Sequence, residues 1–283
     1  MEQLVRLLDY DFVQNAYAAG FIIAVVCGAT SRFVVARDLS FAVHALAELG
    51  FTGAAGFVLA RLSPVLGLLA GAMGTALFIG TLGVRPRGRD TVIGVTMGFG
   101  LGLGVLFITL YPRYATQAFS LLFGTISGVN RGDVALLLAI GAVVLGALVV
   151  IYRPLLFATV DPEAAEARGV PVRSLGVIFL LMMAGAIAEA VQIVGVLLIF
   201  TLMITPAASA ERLAPQPGRA LLISVLIALI SAIGGITLAL ITNIPVSVFV
   251  TSLAFACYLA SRFVLGPLIE LRAARGTSGA APS

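Results

Sequence analysis

Lysine and tryptophan are absent from this 283-residue chain, histidine occurs once and cysteine twice. Each shortage removes a class of chemistry. Without lysine there is no Gly-Lys-Ser/Thr phosphate loop, so the chain cannot be its own Walker-type ATPase. The single histidine, His44, excludes an HExxH site and a multi-histidine metal cage within one copy. Cys27 and Cys257 lie far apart inside apolar stretches, which fits small packing residues better than a disulfide framework or a CxxC metal site. There is no GxSxG elbow and no Ser, His, Asp set, so the residues offer no catalytic apparatus. Charge is scarce too, at 11% of residues against about a quarter in a soluble domain.

Apolar sequence takes its place. Residues of hydrophobic type make up 60% of the chain. A membrane-crossing helix needs about 20 predominantly apolar residues. Such windows fall near 15–31, 41–60, 64–84, 91–111, 134–152, 175–210, 220–241 and 246–265. The window at 175–210 is too long for one helix and short for two, so a broken or re-entrant pair is expected there. The fold class is therefore all-α, a polytopic transmembrane bundle of eight or nine spans. One membrane domain is expected over 1–275, with a small, polar, disordered tail over 276–283. The first dozen residues lack a basic start and a cleavage site, so the first window is expected to stay in place. Glycines four apart, at Gly67/Gly71, Gly94/Gly98/Gly102 and Gly100/Gly104, point to close helix packing within the bundle or a dimer.

The net charge of +4 comes from arginines at the ends of the apolar windows, a pattern of membrane topology and not of nucleic-acid binding. With the Arg85, Arg87, Arg89 loop inside, alternation also places Arg32, Arg37, Arg153, Arg168, Arg173, Arg212, Arg219, Arg272 and Arg275 inside. Arg6, Arg61, Arg113 and Arg131 fall outside. An outside N-terminus and a cytoplasmic C-terminus follow. Two connections are long enough for structure of their own. The outer one, Tyr111 to Asp133, reads as a re-entrant or surface helix. The inner one, Arg153 to Ser174, carries a short punctuated helix: Asp161 caps it and Pro162 opens it. Glu163 and Glu166 complement its N-terminus, and Gly169 after Arg168 stops it.

Ionisable groups inside spans are costly and mark functional sites. His44 and Glu48 are four apart, which puts both on one helix face with Cβ atoms about 5–6 Å apart. Glu189, near the turn of the 175–210 pair, is expected to approach the same pocket from another helix. Nitrogen with carboxylate ligation suits zinc or manganese, and a single histidine leaves the site in need of carboxylates, water or a second subunit. A direct His44–Glu48 pair of purely structural use is the competing reading.

The segments VGVLLIFTLMITPAASAERL (Val194–Leu213) and RPLLFATVDPEAAEARGVPVRSLG (Arg153–Gly176) resemble the permease subunits of the ABC-3 family of zinc and manganese importers. The match lies in Gly195, Leu197, Leu198 and Pro206 to Ala208, and in Arg153, Asp161, Gly169 and Pro171. With LLFGTISGVNRGD it covers Phe119 to Val264. The resemblance implies a pair of permeases, a separate pair of cytoplasmic ATP-binding subunits and an extracytoplasmic metal-binding protein. Zn2+ or Mn2+ would be cargo, and no cofactor would be held permanently. Asp161, Pro162, Glu163, Glu166, Arg168 and Gly169 would form the coupling helix that docks on the ATPase. Where family members read GDALSH, this chain reads SFAVH: His44 matches the histidine and Ser40 stands at the aspartate, with Glu48 one turn on as the substitute anion. A siderophore- or cobalamin-type permease and an ion-coupled secondary carrier are the alternatives. The former has no need of His44, and the latter expects paired carboxylates on broken helices.

Overall fold

The computed structural model describes residues 10–82, 86–110, 129–242 and 244–265. Among the described residues there is no strand. The helices are α1 (Asp11–Ala36), α2 (Ser40–Leu59), α3 (Pro64–Leu82), α4 (Pro86–Leu110), α5 (Arg131–Val160), α6 (Pro162–Ala167), α7 (Val172–Val194), α8 (Val196–Leu213), α9 (Pro217–Thr242) and α10 (Val246–Ala260). A π-helical turn, Ser261–Leu265, continues α10. Eight of the helices are long and apolar enough to cross a membrane. The expected outer helix of 111–133 and the tail of 276–283 lie largely or wholly outside the described residues.

Local chemistry sets the boundaries. Asn130 opens α5 with a capping box: its side chain accepts from the backbone N–H of Gly132 and Asp133, and the Asp133 carboxylate accepts from the Asn130 N–H. Pro64, Pro162 and Pro217 stand at first helical positions, where a missing N–H costs nothing. The long 175–210 window is a broken pair: Gly195, at φ 83°, separates α7 from α8 in a backbone conformation that only glycine adopts without strain. The inner connection is shorter than the sequence indicates, because Arg153 and Pro154 lie inside α5, which runs on to Val160.

Helix ends sort into two groups. At one end the Arg131 guanidinium lies 2.8 Å from the Asp11 carboxylate, Asn15 donates to the Val129 carbonyl, and Tyr17 meets Thr237 at 2.8 Å. At the other end Arg37 reaches Thr159, and Arg173 donates to the Thr81 carbonyl. The second end carries α6. These pairs run α1 alongside α5 and against α9, and α3 against α7, as alternating crossings require.

Packing joins α2 to α3 and α4, α1 to α9, α8 and α5, and α7 to α3 and α5. A Cβ on Gly53, Gly67 or Gly71 would run into the backbone of the facing helix, so these glycines let α2 and α3 approach closely. Gly100 and Gly104 do the same for α4 against Leu49 and Thr52 of α2, whereas Gly94, Gly98 and Gly102 have open space around them. Phe33 is fully buried and meets Tyr152 and Phe179 edge-on, tying α1, α5 and α7 together. The outer faces are apolar: Val149 and Val150 of α5 are 76% and 79% exposed, a surface that fits lipid and not water.

Candidate functional site

His44 sits one turn into α2 and Glu48 one turn further, the only two ionisable side chains on that helix. The i, i+4 spacing brings His44 Nε2 to 3.0 Å from Glu48 Oε1, so the two form a pair inside the bundle. Both side chains are partly covered, at 30% and 16% exposure. The His44 ring lies 4.8 Å, centroid to centroid, from the ring of Phe200 on α8. The outer atoms of the pair are left over. His44 Nδ1 and Glu48 Oε2 are buried and make no hydrogen bond. With Nε2 donating to the carboxylate, a neutral imidazole offers Nδ1 as a free lone pair, next to a free carboxylate oxygen. Buried acceptors without partners cost free energy, so this arrangement is unfavourable until a cation or donor completes it.

Glu189 is placed elsewhere. It is buried, and it faces a cavity between α1, α5 and α7 lined by Ile23, Cys27, Leu137, Gly141 and Ala186. The face of α7 that carries it turns toward α1 and α5. Among the described residues no group of three or more His, Cys, Asp or Glu side chains is arranged to hold a metal ion. The expected convergence of Glu189 with His44 and Glu48 is therefore not seen within one copy of the chain. Ser40 opens α2 one turn before His44 and supplies no charge at the family's aspartate position. Phe200 was not identified from the sequence: nothing local links it to a histidine 156 positions earlier.

The helix read from Asp161 to Arg168 is present as α6. The Asp161 carboxylate accepts from the Ala164 N–H at 2.9 Å, Pro162 is the first helical residue, and Glu163 lies in the first turn. Arg168 closes the helix and stacks over the Phe157 ring, and Gly169 at φ 79° turns the chain. Ala165 is the buried anchor, packed with Ala158 of α5 and Leu175 of α7, while Pro162, Glu163, Glu166 and Arg168 are exposed. A short polar helix is thus pinned to two long apolar ones, with Glu163, Glu166 and Arg168 on its exposed side.

Apolar helices with lipid-suited outer faces, an ionisable pair within and a docked polar helix at one end define a polytopic membrane protein of the transporter class. The profile of the ABC 3 transport family matches residues 9–265, and the chain belongs to that family. It is 30% identical over 240 residues to the manganese transport system membrane protein MntC of Halalkalibacterium halodurans, spanning 84% of this chain and 82% of that one. It is 26% identical over 232 residues to the high-affinity zinc uptake system membrane protein ZnuB of Haemophilus influenzae, covering 81% and 88% of the two chains. The solved structure of PsaBC from Streptococcus pneumoniae in complex with Fab superposes with a TM-score of 0.84 at 25% identity, over 96% of this chain and 99% of that one.

Proposed function

We propose that this chain is the permease subunit of an ATP-binding-cassette importer that moves zinc or manganese inward by alternating access. The observation that carries the reading is the half-satisfied His44–Glu48 pair within the bundle of an ABC 3 family member. Its relatives named for manganese and zinc transport support the choice of cargo. One nitrogen and one carboxylate from this copy are too few for a closed site, and a transport site must release its ion. A second copy related by a two-fold axis would present the same pair, giving a four-ligand set of nitrogen and oxygen. Glu48 in this reading replaces the anion missing at Ser40. Glu189 stands apart in its own cavity, and its role is tested separately.

The sequence has no lysine and so no Gly-Lys-Ser/Thr phosphate loop, and in this reading ATP is hydrolysed by a separate pair of cytoplasmic subunits that dock on the exposed side of α6 through Pro162, Glu163, Glu166 and Arg168. An extracytoplasmic metal-binding protein delivers the ion at the opposite end. The helix end bearing α6 faces the cytoplasm in this reading, in the bacterial cell membrane. The deciding experiment is elemental mass spectrometry of cellular zinc, manganese and iron in cells with the gene, without it, and with His44→Ala. Loss of zinc or manganese alone, reproduced by His44→Ala at normal membrane abundance, supports the reading. A fall in iron alone, or in no metal, sinks the cargo assignment.

A further inference from the structure

Arg212 in the last turn of α8, Arg219 in the first turn of α9 and Arg262 just past α10 stand exposed at the end of the bundle that carries α6. The three helices pack on one another there: Ala210 and Ala214 meet Ala220, and the π-helical turn contacts α8. None of the three guanidinium groups pairs with a carboxylate among the described residues. Arg262 instead donates to the Tyr258 hydroxyl at 3.2 Å and lies over the Phe263 ring, while Arg212 closes the helix that the π-helical turn packs against. Directly beyond these cations the outer faces of two helices are apolar. Leu222, Leu226 and Ile230 follow Arg219 along α9 at four-residue steps, and Phe255 and Leu259 precede Arg262 on α10, all exposed.

We propose that this corner binds an anionic phospholipid, its phosphate held by Arg212 and Arg262 beside Tyr258 and its acyl chains lying along α9 and α10. The chemistry is that of a phosphate anion meeting guanidinium groups that no described carboxylate neutralises, which suit its oxygens in geometry and charge. A free phosphate would account for the arginines alone. The long apolar faces that begin at the same level select the lipid source, because only a lipid carries its phosphate at the head of two hydrocarbon chains. Tyr258 and Phe263 provide the amphipathic aromatic edge found at membrane interfaces. The bound lipid would clamp the ends of α8, α9 and α10 together, the same ends that must move if α8 gates a pathway beside His44.

Native mass spectrometry of the full-length chain, in the assembly in which it purifies, tests this with phosphatidylglycerol, phosphatidylcholine and inorganic phosphate as separate additions. Wild type is expected to retain phosphatidylglycerol over phosphatidylcholine. The double variant Arg212→Gln/Arg262→Gln should lose that preference by about fivefold for each arginine removed. Arg212→Lys/Arg262→Lys should keep most of it, because an ammonium still attracts the headgroup as a point charge. If the double glutamine variant does not reach the membrane, Arg262→Gln alone carries the test. Equal retention of both lipids by wild type would overturn the proposal. So would displacement of phosphatidylglycerol by an equal concentration of inorganic phosphate, which would mark a soluble-anion site. Loss of a second copy or of a partner subunit in the glutamine variant, with its lipid preference intact, would reassign the corner to a protein interface.

Discussion

His44 and Glu48 show how much of a site lies in spacing alone. Four residues on a helix place two side chains on one face whatever the rest of the fold does, and the 3.0 Å contact between them follows. The sequence leaves a lone histidine in need of outside ligands if it holds a metal, and the structure leaves Nδ1 of His44 and Oε2 of Glu48 without hydrogen bonds. It does not reveal that Phe200 covers the ring or that Glu189 turns toward α1 and α5, because rotation of one helix about its axis against another is set by packing. In the importer reading, Glu48→Gln removes the anionic ligand while keeping the shape. Metal accumulation should fall by about tenfold or more at unchanged membrane abundance. Glu189→Gln should leave accumulation within about twofold of wild type, since Glu189 shares no site with the pair. Equal losses from the two variants would return Glu189 to the pathway.

At the level of single helices, α6 was the most legible element. Its N-cap, its first-turn proline and acid, and its terminal glycine all act within one turn, so local sequence suffices to set them. Asp161→Ala removes the side-chain cap and should cost the helix about 1 kcal/mol. The expected readout is weaker coupling of metal transport to ATP hydrolysis, measured on the reconstituted transporter, with little change in bundle stability. Glycine spacing was a less complete guide. The four-residue pattern at Gly67/Gly71 marks a true close approach, while the equally regular Gly94/Gly98/Gly102 row faces open space. Spacing tells which glycines share a face and not what that face meets. Gly71→Leu should therefore force α2 and α3 apart and destabilise the protein by roughly 1–3 kcal/mol. Gly98→Leu should leave the thermal midpoint in detergent unchanged. A similar fall for both would mean that α4 is covered in solution.

For the whole molecule, the pairing of helix ends agrees with the alternation that arginine placement predicts, and orientation in the membrane is open to direct test. In a chain lacking Cys27 and Cys257, a single cysteine at Glu163 should react with an impermeant maleimide only after the membrane is opened. One at Arg131 should react from outside in intact cells. The reverse labelling would invert the topology. The sequence by itself determined the class, the positions of eight apolar windows, the short helix α6 and the His44–Glu48 pair, because each depends on composition, on helical period or on capping within a few residues. Tertiary structure alone decided that the break expected within 175–210 falls at Gly195 and that Glu189 faces a cavity between α1, α5 and α7. These depend on which faces of separate helices turn toward each other, and side-chain packing between distant segments settles that.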